Sequence, residues 1–148
     1  MTLHLHATIL LVEDDPGHAR LIERNLRRAG VTQKLTRIED GQKAIDYFFP
    51  AHDTVDSSSV DIPHLVLLDL NLPGADGYQV LERLKTNPHT KPIPVFILSS
   101  TDEPQDIERC YALGCNAYLH KPVEYDQFAD AIQRLGSLVS IVRIPKGG

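Results

Sequence analysis

A short stretch from Leu65 to Gly77, with the sequence LVLLDLNLPGADG, constrains the fold more than any other part of the chain. It opens with four aliphatic residues, 65–68, and turns at Leu72-Pro73-Gly74. A short apolar run ended by turn residues is typical of a strand buried on both faces, as in a parallel sheet. The strand ends on Asp69, and a carboxylate is costly there unless something uses it. Ligands of open α/β sheets bind at the carboxyl ends of the strands. Asp69 is therefore a candidate site residue, although taken alone it serves equally well as a turn cap.

Short apolar runs alternate with helical patterns along the whole chain. The helical patterns begin and end at suitable residues, as the first does at Asp15-Pro16 and Gly30. The second apolar run has polar residues between its aliphatic ones, which is typical of a strand at a sheet edge. Strict alternation predicts an α/β fold, a doubly wound parallel sheet of five strands with helices on both faces. The predicted strands are 9–12, 35–38, 65–69, 94–98 and 117–119.

Length and charge exclude several classes of protein. The 148 residues fit a single domain. We expect that domain to cover 1–148, with its core at about 7–135 and a C-terminal extension at 136–148. A formal net charge of −5 without a long basic run argues against nucleic acid as a partner. The apolar stretch 7–12 is too short for a membrane span or a signal peptide, so a cytoplasmic protein without a membrane partner is expected.

The common cofactor motifs are missing from the sequence. No G-x-G-x-x-G follows the first strand, and no P-loop motif is present, which excludes the dinucleotide-binding and P-loop interpretations. Cys110 and Cys115 form no CxxC pair, and no Cys/His group has zinc spacing. We therefore expect two reduced thiols.

Four of the predicted strands end in residues that carry chemistry. Glu13 and Asp14 follow the first strand, Asp69 ends the third, Ser99 follows the fourth and Lys121 follows the fifth. If the first and third strands are neighbours, three carboxylates meet, and two unit charges ~4 Å apart repel by roughly 4 kcal/mol at an effective dielectric of ~20. Such a cluster needs a cation, and carboxylates are ligands that Mg²⁺ prefers. A metal ion, an ammonium and a hydroxyl together describe a pocket for a phosphoryl group on one of the carboxylates.

Four segments in this order and spacing closely resemble the response-regulator receiver domain of two-component signalling. They are LLVEDDP, LVLLDLNLPGADGYQVL, PVFILSS and GCNAYLHKPV, and the resemblance runs from about Ile9 to Leu135. It implies a flavodoxin-like fold with strand order 2-1-3-4-5.

The resemblance also implies roles around a metal ion. Asp69 matches the phosphoacceptor, and Glu13 and Asp14 match the acidic pair that binds Mg²⁺. Asp14 is expected to bind the ion directly and Glu13 through a water molecule. Asn71 matches the residue whose backbone carbonyl is a further ligand.

A second set of implied roles concerns the switch. Ser99 matches the hydroxyl residue that reaches the phosphoryl group, and Lys121 matches the lysine that pairs with it. Pro122 matches a proline whose preceding peptide bond is often cis. Tyr118 matches the aromatic switch residue, although an aromatic residue on an edge strand also serves simply to pack against the adjacent helix.

The expected function is that of a phosphoacceptor response regulator. It would accept a phosphoryl group on Asp69 from a sensor histidine kinase and switch its surface for a downstream protein. It would not be an enzyme beyond promoting its own phosphorylation and dephosphorylation. A constitutive binding module without phosphotransfer is the alternative. A phosphohydrolase of the haloacid dehalogenase type is disfavoured because Asn71 stands where that class needs a second Asp.

Two further expectations concern partners. The long loop between Pro50 and Pro63, the DLNLP sequence and the extended last helix resemble the stand-alone regulators of phytochrome-type kinases. The aliphatic residues Leu138, Ile141, Val142 and Ile144 suggest a homodimer, because clustered exposed apolar residues often mark an interface. The alternative is a tail that folds back on its own domain.

Overall fold

Ten elements alternate strictly between strand and helix in the computed structural model, which describes residues 8–50 and 62–135. The strands form one parallel sheet in the order β2-β1-β3-β4-β5. The predicted fold class and strand order are therefore confirmed. The elements are β1 (Thr8–Val12), α1 (Pro16–Arg28), β2 (Lys34–Ile38), α2 (Gly41–Phe48), β3 (Leu65–Asp69), α3 (Gly77–Thr86), β4 (Val95–Ser99), α4 (Pro104–Leu113), β5 (Ala117–His120) and α5 (Tyr125–Leu135).

Alternate residues of the central strands face two separate cores. In β1, Ile9 and Leu11 pack in one core with residues of α1 and α5, while Leu10 and Val12 pack in the other with residues of α2, α3 and α4. All five residues of β3 and of β4 are buried, as expected for strands covered on both faces. β2 carries no fully buried residue and lies at the sheet edge, as its polar pattern predicts.

Side chains in the loops fix where the helices begin. Asp15 accepts a hydrogen bond from the His18 N–H, with Pro16 at the first helical position. Asp40 caps α2, and Asp76 with Gln79 forms a capping box at α3. Each of these caps follows a carboxyl end of a strand, so the helix starts and the candidate site share one edge of the sheet.

The apolar pattern of α4 proves misleading. Its sequence places Ile107, Cys110, Tyr111 and Leu113 at helical spacing, but Cys110 alone is buried, and Tyr111 is 47% exposed. The reason lies in its position, because α4 covers the sheet only near the edge strand β5 and contacts α3 on its other side. No helix among the described residues has the length and apolar character needed to span a membrane.

Candidate functional site

The carboxyl ends of the parallel strands bring the predicted side chains together. Glu13 follows β1 and its N–H donates to Ile38 O at 3.0 Å, while Lys121 follows β5 and its N–H donates to Ser99 O at 2.7 Å. Asp69 and Ser99 are the last residues of β3 and β4. The hydrogen bonds between neighbouring strands extend to these positions. The backbone of the sheet therefore fixes the Cα position of each functional residue.

Lys121 is the centre of a buried ion-pair cluster. Its Nζ lies 2.6 Å from Glu13 Oε1 and 3.2 Å from Asp69 Oδ2. The side chains are 11%, 1% and 5% exposed, respectively, so water screens these charges little. One ammonium therefore compensates two buried carboxylates, and the cluster keeps an excess of negative charge.

The excess charge affects the pKa of Asp69, which is raised from 3.8 to about 6. Burial is the largest cause and the nearby Glu13 carboxylate adds to it, whereas Lys121 and the Asn71 N–H act to lower the pKa. The Asn71 N–H donates to Asp69 Oδ1 at 3.2 Å. Removal from water and like-charge repulsion thus outweigh the ammonium, which marks Asp69 as the perturbed carboxyl of the site.

A third acid, Asp14, completes a cation-binding set. Oxygen atoms of Glu13, Asp14 and Asp69 all lie within 4.8 Å of one another, and Asp14 is exposed. No other such group of His, Cys, Asp or Glu occurs among residues 8–50 and 62–135. Three hard oxygen donors, one of them open to solvent, suit Mg²⁺, which keeps several of its waters. The donor set therefore fits the predicted metal ion, and Asn71 is exposed beside it.

Arg37 holds the acidic loop in place, a contact that the sequence did not reveal. From the end of β2, its Nε donates to Glu13 O and its Nη2 to Asp14 O, each at 2.9 Å. Glu13 Oε2 also accepts from the Asp15 N–H at 3.1 Å. The Arg37 guanidinium thus fixes the backbone from which the Glu13 and Asp14 side chains extend. Arg37 reaches this loop because it is the penultimate residue of β2, in register with Leu11 of β1.

A chain of hydrogen bonds leads from Ser99 to the surface. Buried Ser99 accepts at Oγ from the Thr101 N–H at 3.1 Å, and Thr101 O accepts from Tyr118 Oη at 2.7 Å. The Thr101 hydroxyl lies 3.4 Å from Asp106 Oδ2, and Asp106 Oδ1 accepts from Tyr78 Oη at 3.1 Å. Thr101 therefore connects the end of β4 with β5, α4 and α3.

Tyr118 is half-buried and packs against the core that contains Cys110 of α4. Its hydroxyl bond to Thr101 O shows that it does more than pack. Burial raises the pKa of the Tyr118 phenol, so the hydroxyl stays a donor at neutral pH.

Two other side chains near the site were also missed. Asn25 of α1 is buried and its Nδ2 donates to Val123 O at 2.9 Å, which ties α1 to the loop after Lys121. His18 lies next to Lys121, with Nδ1 at 3.4 Å from Nζ. Nothing in the sequence pairs either residue with the distant β5–α5 loop. The Lys121–Pro122 peptide bond is cis, as predicted.

Part of the predicted interface lies outside the described residues. The dimer prediction rests on Leu138, Ile141, Val142 and Ile144, all within 136–148. The long loop before β3 likewise falls largely in 51–61. Cys110 and Cys115 are free and buried, as expected, and burial raises their pKa values to about 11 and about 12.

Comparison with known proteins gives consistent matches. The sequence model of a family described as "Response regulator receiver domain" matches residues 9–133. A response regulator receiver domain from Rhodospirillum rubrum is 47% identical, with a TM-score of 0.73, over 94% of this chain and 97% of that one. The cyanobacterial phytochrome response regulator RcpA, solved in phosphorylated form, is 32% identical with a TM-score of 0.72, over 91% of this chain and 94% of RcpA.

The response regulator Rcp1 of Synechocystis matches in both sequence and structure. It is 37% identical over 113 residues, which are 76% of this chain and 75% of Rcp1. Its structure in a Mn²⁺-bound form matches with a TM-score of 0.73, over 94% of this chain and 99% of that one, at 32% identity.

Proposed function

The chain belongs to the family of response regulator receiver domains of two-component signalling, and we propose that it accepts a phosphoryl group on Asp69 from a sensor histidine kinase. One observation carries the proposal. Asp69 lies at a strand end, 3.2 Å from the Lys121 ammonium, within a cluster of three carboxylates. One ammonium compensates the charge of these carboxylates only in part, which costs stability. The arrangement therefore favours a function at this site over a purely structural role.

We assign the chemistry to side chains as follows. One oxygen of the Asp69 carboxylate attacks phosphorus, forming a P–O bond as the bond from phosphorus to the donor imidazole nitrogen breaks, and the electron pair leaves with the imidazole. Lys121 compensates negative charge on the phosphoryl oxygens, and the Ser99 hydroxyl donates to one of them. Ser99 is the last residue of β4, the strand next to β3, and its side chain is buried.

The acidic set would hold Mg²⁺, the ion implied by the family. We propose Asp14 and Asp69 as direct ligands, Glu13 as a ligand through water and Asn71 as a backbone carbonyl ligand. When bound, the ion supplies positive charge beside the phosphoryl oxygens and thereby permits a second anion to enter an acidic pocket. That the similar protein Rcp1 was solved in a Mn²⁺-bound form supports the proposal that this chain binds a divalent ion.

Phosphorylation would act on the surface through Thr101. If the Ser99 hydroxyl turns to the phosphoryl group, its bond from the Thr101 N–H is disturbed, and with it the Thr101 contacts to Tyr118 and Asp106. The loop with these contacts and the loop without them would be the two states that a switch requires. We propose that the α4–β5–α5 face presents the result to a downstream protein, and that the chain is a switch acting on its own phosphoryl group alone.

We propose a kinase partner of the phytochrome type. RcpA is a phytochrome response regulator, and both RcpA and Rcp1 match this chain along most of its length. We further propose one receiver domain over 1–148, located in the cytoplasm, and a homodimer formed through the aliphatic residues of 136–148.

Mass spectrometry after incubation with Mg²⁺ and acetyl phosphate tests the proposed function. The wild-type chain is expected to gain one phosphoryl group, and Asp69→Asn is expected to gain none. Asp14→Ala should lose the adduct as well, because the same reaction needs the metal ion. A wild-type chain that gains no phosphoryl group at any Mg²⁺ concentration would favour the alternative, a constitutive binding module with the receiver fold.

A further inference from the structure

Lys121 has a third partner beyond the two acids, and it comes from α1. An ammonium group carries three N–H donors and no acceptor. Nζ donates to Glu13 Oε1, forms an ion pair with Asp69 Oδ2 at 3.2 Å, and has His18 Nδ1 as a third polar neighbour at 3.4 Å. Three polar groups from different segments of the fold therefore surround the ammonium.

Lys121 only donates, so a hydrogen bond between Nζ and Nδ1 requires Nδ1 as the acceptor and the ring proton on Nε2. Nδ1 also lies 3.8 Å from Glu13 Oε2, which is too long for a hydrogen bond. The ammonium is thus the nearer polar neighbour of Nδ1.

The backbone of His18 is fixed in the first turn of α1, where its N–H donates to the Asp15 side chain, while the His18 side chain is 55% exposed. Together with Leu21, Ser100 and Lys121, it lines a largely apolar cavity of about 240 Å³ beside the ammonium. The His18 ring therefore lines the cavity next to Lys121, the residue whose ammonium would contact an incoming phosphoryl oxygen.

We propose that His18 is a positioning residue that holds the Lys121 ammonium at the phosphoacceptor through Nδ1. This inference rests on the proposed phosphorylation of Asp69. Glu13 and Asp69 are both assigned other tasks once a metal ion or a phosphoryl group is present, whereas His18 has none. The contact between His18 Nδ1 and Lys121 Nζ can persist throughout the reaction. It therefore restricts the long Lys121 side chain while Glu13 and Asp69 bind the metal ion or the phosphoryl group.

The choice of substitutions separates this role from a structural one. Asn at position 18 places its Oδ1 acceptor where the imidazole has Nδ1, whereas Gln places its acceptor nearer to Nε2, and Ala removes it. Arg20→Ala is the matched control, because Arg20 is exposed on the same helix and belongs to no part of the site. None of these positions is buried, so all four variants should fold.

The first measurement is the rate of Asp69 phosphorylation by acetyl phosphate at saturating Mg²⁺. We expect His18→Ala and His18→Gln to slow it by about three- to tenfold, in the range set by losing one positioned contact. His18→Asn and Arg20→Ala should stay within twofold of wild type. The second measurement needs no phosphoryl donor: proton exchange of the Lys121 ammonium with water, followed by its ¹⁵N-resolved signal, should accelerate at least threefold in the Ala and Gln variants alone.

Three results would overturn the inference. The first is equal phosphorylation rates in all variants, and the second is an Asn variant as slow as Ala, which would show that the acceptor at the Nδ1 position is irrelevant. The third is an unchanged exchange rate of the ammonium in His18→Ala. A wild-type chain that takes up no phosphoryl group would instead count against the proposed function, and the exchange measurement would still decide the contact between His18 and Lys121.

Discussion

Asp69→Asn is expected to stabilise the metal-free protein at neutral pH. The pKa of Asp69 rises from 3.8 to about 6 because the carboxyl is buried beside Glu13. Each pKa unit is worth about 1.4 kcal/mol, so charging Asp69 costs the folded protein up to about 3 kcal/mol. Asn has nearly the same shape and no charge to desolvate, and Lys121 keeps its shorter bond, the one to Glu13 at 2.6 Å.

The sign of the pH dependence follows from the direction of the shift. A raised pKa means that the folded protein holds its proton more tightly than the unfolded chain does. The stability contributed by Asp69 is therefore complete below about pH 3.8 and is lost as the pH rises through about 6. Asn does not titrate, so the advantage of the variant should be largest above pH 7 and should vanish toward pH 4.

Urea unfolding in EDTA at several pH values measures this effect. At pH 7.5 the variant should be more stable by about 1–3 kcal/mol, which for a urea m-value of about 2 kcal/mol/M shifts the midpoint by about 0.5–1.5 M. Asp14→Asn is the matched control, because Asp14 belongs to the same cluster but is exposed, and a much smaller gain is expected. Saturating Mg²⁺ should stabilise wild type more than Asp69→Asn and so reduce the difference. An Asp69→Asn protein no more stable than wild type in EDTA at pH 7.5 would refute the reasoning.

Three other substitutions probe the same edge of the sheet. Lys121→Ala leaves the buried Glu13 carboxylate without its partner and should cost about 3–5 kcal/mol in EDTA by urea unfolding, with Glu13→Gln in the same background expected to restore part of it. Asp14→Ala should abolish Mg²⁺ binding, whereas Glu13→Ala should only weaken it; equal affinities by titration would contradict the roles assigned to the two acids. Gly77→Ala should lower both stability and the phosphorylation rate, because a Cβ there would lie 2.5 Å from Asp69 O; an unchanged thermal midpoint would show that this loop yields freely.

The sequence predicts the site well because a parallel sheet gathers its carboxyl ends at one edge. The position of a residue at or just after the end of an apolar run was enough to place Glu13, Asp69, Ser99 and Lys121 at the same edge of the sheet. The metal, phosphoacceptor and switch roles came from the family resemblance, and the structure supplies the distances that make them chemically sensible.

The contacts that escaped prediction join residues far apart in the chain. Arg37, Asn25 and His18 act on the site across 23–103 positions of sequence, through strand register or helix packing that no local pattern encodes. The apolar pattern of α4 failed for a related reason, since periodicity shows which side of a helix is apolar but not how much sheet remains for it to cover. Residues 136–148 lie outside the described structure, so the dimer stays a prediction.

Because α4 buries few residues, it should cost less free energy to displace than α1, α2 or α3. Whereas α1, α2 and α3 each bury four residues, α4 buries only Cys110, and its remaining ties to the fold include the bonds of Asp106 and the Arg109 guanidinium stacked 3.9 Å from the Tyr78 ring centre. Lifting it would expose less apolar surface than lifting α1, α2 or α3, because only Cys110 leaves the core that it shares with α2 and α3. Its amides should accordingly exchange with deuterated water by a local opening rather than by global unfolding. A partner could thus capture a shifted α4 using a small fraction of its own binding free energy, with the folded sheet as a fixed support beneath it.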